Sequence, residues 1–216
     1  MDDIGLLSRF LSERRKARIE EVLSKRTYNL TMVFEELHDP HNIAAVIRTA
    51  EAFGIQRVFI IPEKDGKTGL SRKITRAADK WIDIRIQDSI VSCLSELKEQ
   101  DFSILVSSLG PKAKSIREFS FKRRTAMVLG NEKNGVSKKA YAMADGVFVV
   151  PMLGFVESLN VSVAAGLALY HATMERARLL GKNGDLTEQE KAVLRRKWYR
   201  QSVKGADMIL ERMARK

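Results

Sequence analysis

The sequence holds 216 residues, 44% hydrophobic and 30% charged, enough to bury one sizeable core and unlike a disordered or fibrous chain. Thirty-eight Lys and Arg against 27 Asp and Glu give a formal net charge of +11, a balance that favours polyanionic partners. Cys93 is the only cysteine, which excludes an internal disulfide and any multi-cysteine metal site, and with three scattered histidines no metal is expected.

From Ile4 to Leu23 apolar residues recur at near-helical spacing among seven Arg and Lys between Arg9 and Arg26, which predicts a basic amphipathic helix. Asp2 and Asp3 open the chain with no basic stretch and apolar core behind them, unlike a secretory signal. An apolar run, Leu30 to Leu37, leads through a turn at Asp39 and Pro40 to a helix from Asn42 to Phe53, closed by Gly54. Further strands are expected at Val58–Ile61, Ile82–Ile86, Ile104–Ser108, Ala126–Leu129 and Val147–Val150, most of them separated by helices. Such β-branched runs alternating with helices predict an α/β fold with a mostly parallel sheet flanked by helices. Beyond Pro151 only helix is expected, from Ser158 to Leu180 and again from Thr187, with a joint at Lys182–Asp185. The run Val161–Tyr170 is interrupted by Ser162 and Gly166 and falls short of the ~20 residues of a membrane span, so no membrane partner and a cytoplasmic location are expected. The chain divides into a basic helical extension (1–28), a main domain (29–175) and a second basic extension (176–216).

Residues 176–216 carry 12 basic and 5 acidic side chains, and Arg195, Arg196, Lys197 and Arg200 interleave with Trp198 and Tyr199. Aromatic faces beside guanidinium groups suit base stacking and phosphate pairing, which points the tail toward RNA. A solvated helix face is the plainer alternative. Gly130-Asn-Glu-Lys-Asn-Gly135-Val136 has the rough spacing of a phosphate-binding P-loop but carries Val136 where that loop needs its Lys. No Gly-x-Gly-x-x-Gly set occurs, which disfavours a dinucleotide fold. Three loops remain: Asp39–Asn42, Gly130–Gly135 and Pro151–Asn160, each directly after an expected strand. Ligands of open α/β sheets sit at the carboxyl ends of strands, so the three are expected to converge on one pocket. Singly, each residue has an ordinary role: Asn42 and Ser158 as helix caps, Arg48 paired with Glu51.

Taken together, Asn42-Ile-Ala-Ala-Val-Ile-Arg48-Thr-Ala-Glu-Ala-Phe-Gly54, Leu129-Gly-Asn-Glu-Lys-Asn-Gly-Val-Ser137 and Val150-Pro-Met-Leu-Gly-Phe-Val-Glu-Ser-Leu-Asn160-Val-Ser-Val-Ala-Ala-Gly166 resemble the three ordered motifs of the SPOUT superfamily. Within it they look most like TrmH-type tRNA ribose 2′-O-methyltransferases, over roughly Leu30 to Tyr170. The resemblance implies a C-terminal trefoil knot, a homodimer, and S-adenosylmethionine held through the knot loops at Ser107, Gly130, Val150 and Leu159. It implies an enzyme that methylates a D-loop guanosine of tRNA, with Arg48, Asn42, Glu132, Ser158 and Asn160 as catalytic residues. Fewer than 45 residues precede Asn42, too few for a separate N-terminal RNA-binding domain, which fits the tRNA enzymes better than the ribosomal ones. Ribosomal RNA, another tRNA position, or RNA binding without catalysis are the alternatives.

In such a reaction the protein aligns the ribose oxygen and helps remove its proton. A guanidinium with a pKa above ~12 is a poor base, so Arg48 is expected to orient the ribose or pair with an adjacent phosphate. Asn42 would hold Arg48 or the ribose, Glu132 would fix its loop, and Ser158 and Asn160 would complete the pocket.

Overall fold

The computed structural model describes residues 3–63 and 80–214. In chain order, its elements begin with α1 (Asp3–Ser8), α2 (Glu13–Leu23), β1 (Leu30–Glu35), α3 (Pro40–Ala52), β2 (Arg57–Ile61) and β3 (Asp83–Ile86). There follow α4 (Ile90–Glu99), β4 (Ser103–Ser107), the two-residue β5 (Lys114–Ser115), a 3-10 turn (Ile116–Glu118), β6 (Thr125–Leu129), α5 (Lys138–Met143) and β7 (Gly146–Val149). Three helices complete it: α6 (Val161–Leu180), α7 (Glu188–Ser202) and α8 (Ala206–Ala214). The chain forms two compact units, one of Thr27–Asn183 and one of Met1–Arg26 with Gly184–Lys216. The boundary expected at 175 falls inside α6, and the two basic extensions form one unit.

The larger unit is built on a seven-stranded sheet in the order β3-β2-β1-β6-β4-β7-β5, every neighbouring pair parallel. Met32 of β1 lies opposite Val58 on one side and Met127 on the other, which places β1 beside the sheet's centre. Strands covered on both faces need apolar residues at every position, and all six residues of β1 and all five of β6 are buried. Alternation along the strands sorts these residues into two cores. Met32, Phe34, Ile60, Met127 and Leu129 pack with Ile43, Val46, Ile47 and Ala50 of α3 and with Ala165, Ala168, Leu169 and Ala172 of α6. On the opposite face Val33, Phe59, Ile104, Val106 and Val128 pack with Cys93, Leu94 and Leu97 of α4 and Ala140 of α5. The expected fold class and all six expected strands are present to within two residues; β5 was not expected.

The smaller unit has a core of its own, in which Leu7, Leu11, Ile19, Leu23, Leu186, Leu194, Trp198 and Tyr199 are buried. The single helix expected from Ile4 to Leu23 is two, because Ser12 caps a new helix by accepting the amide of Arg15 at 3.3 Å. The tail likewise breaks at 203–205, where Gly205 turns the chain at φ 71°. Trp198 and Tyr199, expected to stack on bases, are only 1% and 6% exposed. They supply the apolar side of α7, and Arg26 lies over the Trp198 ring at 5.4 Å. Arg195 is also committed, gripping Glu20 with two guanidinium nitrogens. Arg196 and Lys204 are exposed and have no hydrogen-bonding or ionic partner among the described residues. Where the two ends of this unit meet, the amide of Asp185 donates to the carbonyl of Arg26 at 3.1 Å. A Cβ on Gly184 would sit 2.3 Å from the Ser24 carbonyl oxygen, so that approach requires glycine.

Candidate active site

Four neighbouring strands, β1, β6, β4 and β7, run the same way, so their carboxyl ends form one stretch of sheet edge. The first three motif-bearing loops leave from β1, β6 and β7, and Ser107 ends β4 between them. The expected convergence follows from that strand order.

Asp39, not Asn42, caps α3: its Oδ1 accepts the His41 amide at 2.8 Å, and Pro40 occupies the first helical position, where a missing N–H costs nothing. That frees the Asn42 side chain for tertiary contacts. Its Nδ2 donates to Glu132 Oε1 at 2.6 Å, and its Oδ1 accepts from Asn160 Nδ2 at 3.1 Å. Asn160, not Ser158, caps α6, its Oδ1 accepting the Ser162 amide at 2.8 Å and the Ser162 hydroxyl at 2.6 Å. One continuous hydrogen-bonded chain, Glu132–Asn42–Asn160–Ser162, therefore joins all three motifs across separations of 90 and 118 residues.

The second loop is shaped from within. Asn131, only 6% exposed, accepts the amides of Lys133 at 3.0 Å and Asn134 at 2.7 Å on its Oδ1, and its carbonyl accepts from the amide of Gly135 at 3.0 Å. Gly135 has φ 63°, and a Cβ on Gly130 would lie 1.9 Å from the Gly135 carbonyl oxygen. Only glycine permits this curl, in which the backbone at Gly130 lies directly against that at Gly135. Ser107, Gly130, Val150 and Leu159 are all half-buried, at or just beyond the ends of β4, β6 and β7 and within the third loop. Half-buried positions grouped at neighbouring strand ends suit the binding of a small ligand.

Not every expected residue joins the network. Arg48 is exposed and has no hydrogen-bonding or ionic partner among the described residues, so the expected alternative pair with Glu51 does not form. Six residues beyond Asn42, it points about 240° further round the helix, away from Asn42. Ser158 is exposed and has no hydrogen-bonding partner among the described residues; Leu153 and Phe155 in the same loop are fully exposed, at 103% and 107%. Asn131 and a buried acid at the end of β1, Glu35, belong to the site's framework yet were not expected. The one sequence signal for Glu35 is an acidic residue inside an otherwise apolar strand run.

Residues 29–170 match the SpoU rRNA Methylase family. The chain belongs to that family. Among SpoU relatives, a tRNA (guanosine(18)-2′-O)-methyltransferase of Borreliella burgdorferi is 36% identical over 214 residues, 97% of each chain. The crystal structure of the A. aeolicus TrmH/SpoU tRNA modifying enzyme superposes with a TM-score of 0.77 at 33% identity, covering 88% of this chain and 98% of that one. The SpoU methyltransferase AviRb from Streptomyces viridochromogenes, solved with AdoMet, shares the fold with a TM-score of 0.60 at 22% identity, over 70% of this chain and 61% of its own.

Proposed function

We propose that the chain transfers the methyl group of S-adenosylmethionine to the ribose 2′-hydroxyl of guanosine 18 in the D-loop of tRNA. The observation that carries this reading is the Glu132–Asn42–Asn160 chain, which assembles the three methyltransferase motifs at one sheet edge. The full-length similarity to tRNA (guanosine(18)-2′-O)-methyltransferases supports guanosine 18 of tRNA over ribosomal RNA.

Ser107, Gly130, Val150 and Leu159 would hold S-adenosylmethionine through main-chain groups. When bound, it supplies a methyl group made electrophilic by its sulfonium. The protein's own tasks are orientation and charge. Asn42, fixed between Glu132 and Asn160, presents a preset amide to the ribose; Ser158, unpaired on its loop, offers a hydroxyl to the same ligand. Arg48, unpartnered and exposed, is available to an RNA phosphate as a bidentate donor, which orients the ribose and leaves its proton to the phosphate or to water.

The remaining expectations stand as parts of this reading: a trefoil knot in the C-terminal part of the sheet, a cytoplasmic location, basic chain ends that bind tRNA, and a homodimer. No helix among the described residues is long and apolar enough to cross a membrane. For the dimer, α6 exposes Val163, Leu167, Tyr170 and Met174 at 44–56%, spaced four, three and four apart along one face, and a second copy would cover that stripe.

The test is transfer of labelled methyl from S-adenosylmethionine to unmodified tRNA, with the product mapped by resistance to alkaline cleavage. A single 2′-O-methyl group at guanosine 18 is expected. Equal methylation of a transcript carrying adenosine at 18, or methylation only of ribosomal RNA, overturns the assignment.

A further inference from the structure

The second loop is gripped from outside at two points, one from the last residue of β1 and one from the first turn of α3. At its far end Glu35 Oε2 accepts the backbone amide of Ser137 at 2.9 Å; at its tip Glu132 accepts from Asn42 at 2.6 Å. Glu35 is the last residue of β1 and only 3% exposed. Burying a carboxylate is costly, and an apolar residue would suit a strand whose other positions are all apolar or small. Glu36 follows it at φ 54°, a backbone conformation few non-glycine residues adopt, with its amide donating to the Ile61 carbonyl at 2.9 Å. Local strain and a buried charge together at the carboxyl end of a central strand need a compensating task.

We propose that Glu35 is a positioning residue for methyl transfer, fixing the exit of the 130–137 loop so that Glu132 reaches Asn42 and the Gly130 backbone keeps its curl. The proposal rests on the function proposed above. Ser137 caps α5, its Oγ accepting the Ala140 amide at 3.1 Å, so its own amide lies free of the helix and needs an external acceptor. Glu35 supplies it, and in doing so ties the loop to the sheet. Released at that end, the loop would keep its internal Asn131 turn, the contact at its tip and the packing of Val136, but no hydrogen bond from its exit to the sheet.

The variants are Glu35→Gln, which keeps a carbonyl acceptor, Glu35→Ala, which does not, and Ser137→Pro, which removes the donor along with the Oγ cap of α5 at a residue whose φ of −65° proline shares, read against Ser137→Ala, which removes the cap alone. Each is measured in the full chain for kcat and for KM toward S-adenosylmethionine and tRNA, and by amide hydrogen exchange. Glu35→Ala should lower kcat/KM about 100-fold, the usual consequence of misplacing reacting groups by about an ångström. Ser137→Pro should match it, while Glu35→Gln stays within about threefold of the parent because an acceptor remains. Exchange should quicken at 130–137 in Glu35→Ala and not at β1 or β6. Because both residues act on one loop, Glu35→Ala combined with Glu132→Ala should be no worse than the poorer single variant, within about threefold. The proposal is overturned if Glu35→Ala transfers methyl as the parent does, if Glu35→Gln is as damaged as Glu35→Ala, or if the double variant multiplies the losses. Should Glu35→Ala fail to fold, Ser137→Pro decides alone, and parental activity there overturns the proposal. A parent that methylates no tRNA overturns the proposed function instead; loop exchange and calorimetric affinity for S-adenosylmethionine then decide Glu35.

Discussion

Arg48 is the residue at which the site's chemistry is most exposed to test, since no partner among the described residues occupies it. Arg48→Ala and Arg48→Lys should both lose methyl transfer by a factor of ~100–1,000, the usual effect of removing one oriented charge-stabilising donor. Lys keeps the charge but lacks the planar fork, so a shared loss identifies geometry. Single-turnover transfer with both ligands saturating measures it, and an Arg48→Ala rate within threefold of the parent removes Arg48 from the reaction. Cys93 has the opposite character. Burial, with a smaller contribution from Glu96, pushes its thiol from 9.0 up to about 12, so at pH 8 a thiol reagent should label it only as fast as the protein opens. Between pH 9 and about 12 only the unfolded thiol ionises, so stability should fall as pH rises through that window and be unaffected below it by this group. A urea midpoint that rises from pH 8 to pH 10 in the parent relative to Cys93→Ala would contradict this. Asn42, Glu132 and Asn160 were legible because they sit at fixed places in motifs. Their mutual bonds were not, since spacing along a chain says nothing about which of two caps an Asn takes: Asp39 displaces Asn42, and Asn160 displaces Ser158.

At the level of elements, the strands were readable because a sheet covered on both faces demands long apolar runs, and β1 and β6 comply at all positions but Thr31, Glu35 and Thr125. The terminal helices were misread for a physical reason: apolar spacing continues through Phe10 and Leu11 although Ser12 restarts the helix. In α7 the interleaving of cations with Trp198 and Tyr199 points toward RNA on sequence alone, whereas packing commits both aromatics to the apolar core. This changes how the tail should be tested. Deleting residues 187–216 would strip Leu194 and Trp198 from their core and confound binding with unfolding. Arg196→Ala with Lys204→Ala removes charge without removing packing. If this surface meets phosphates, the log–log salt slope of tRNA binding should flatten by up to about 0.9 per lost contact, taking the duplex DNA value as a guide, with S-adenosylmethionine affinity unchanged. An unaltered slope assigns those two side chains to solvent. Glu21, held by Lys25 and Arg18 to a pKa of about 2, shows that other charges of these helices serve the helices themselves.

For the whole molecule the first question is how many copies act together. Light scattering should give a dimer at micromolar concentration, and Leu167→Glu, in the middle of the exposed stripe on α6, should give a monomer with its sheet intact by circular dichroism. A parent that remains monomeric at tens of micromolar leaves the stripe uncovered and the dimer reading without support. A second property of the whole follows from the way Met1–Arg26 and Gly184–Lys216 share one core. The ribosome delivers the first half of that core some 157 residues before the second half. At roughly 5–20 residues per second, α1 and α2 wait about 8–30 s with Leu7, Ile19 and Leu23 uncovered while the sheet between them is completed. The basic unit thus comes into being last, and a polypeptide released early, however well its sheet has folded, leaves the ribosome with half of that unit's core uncovered.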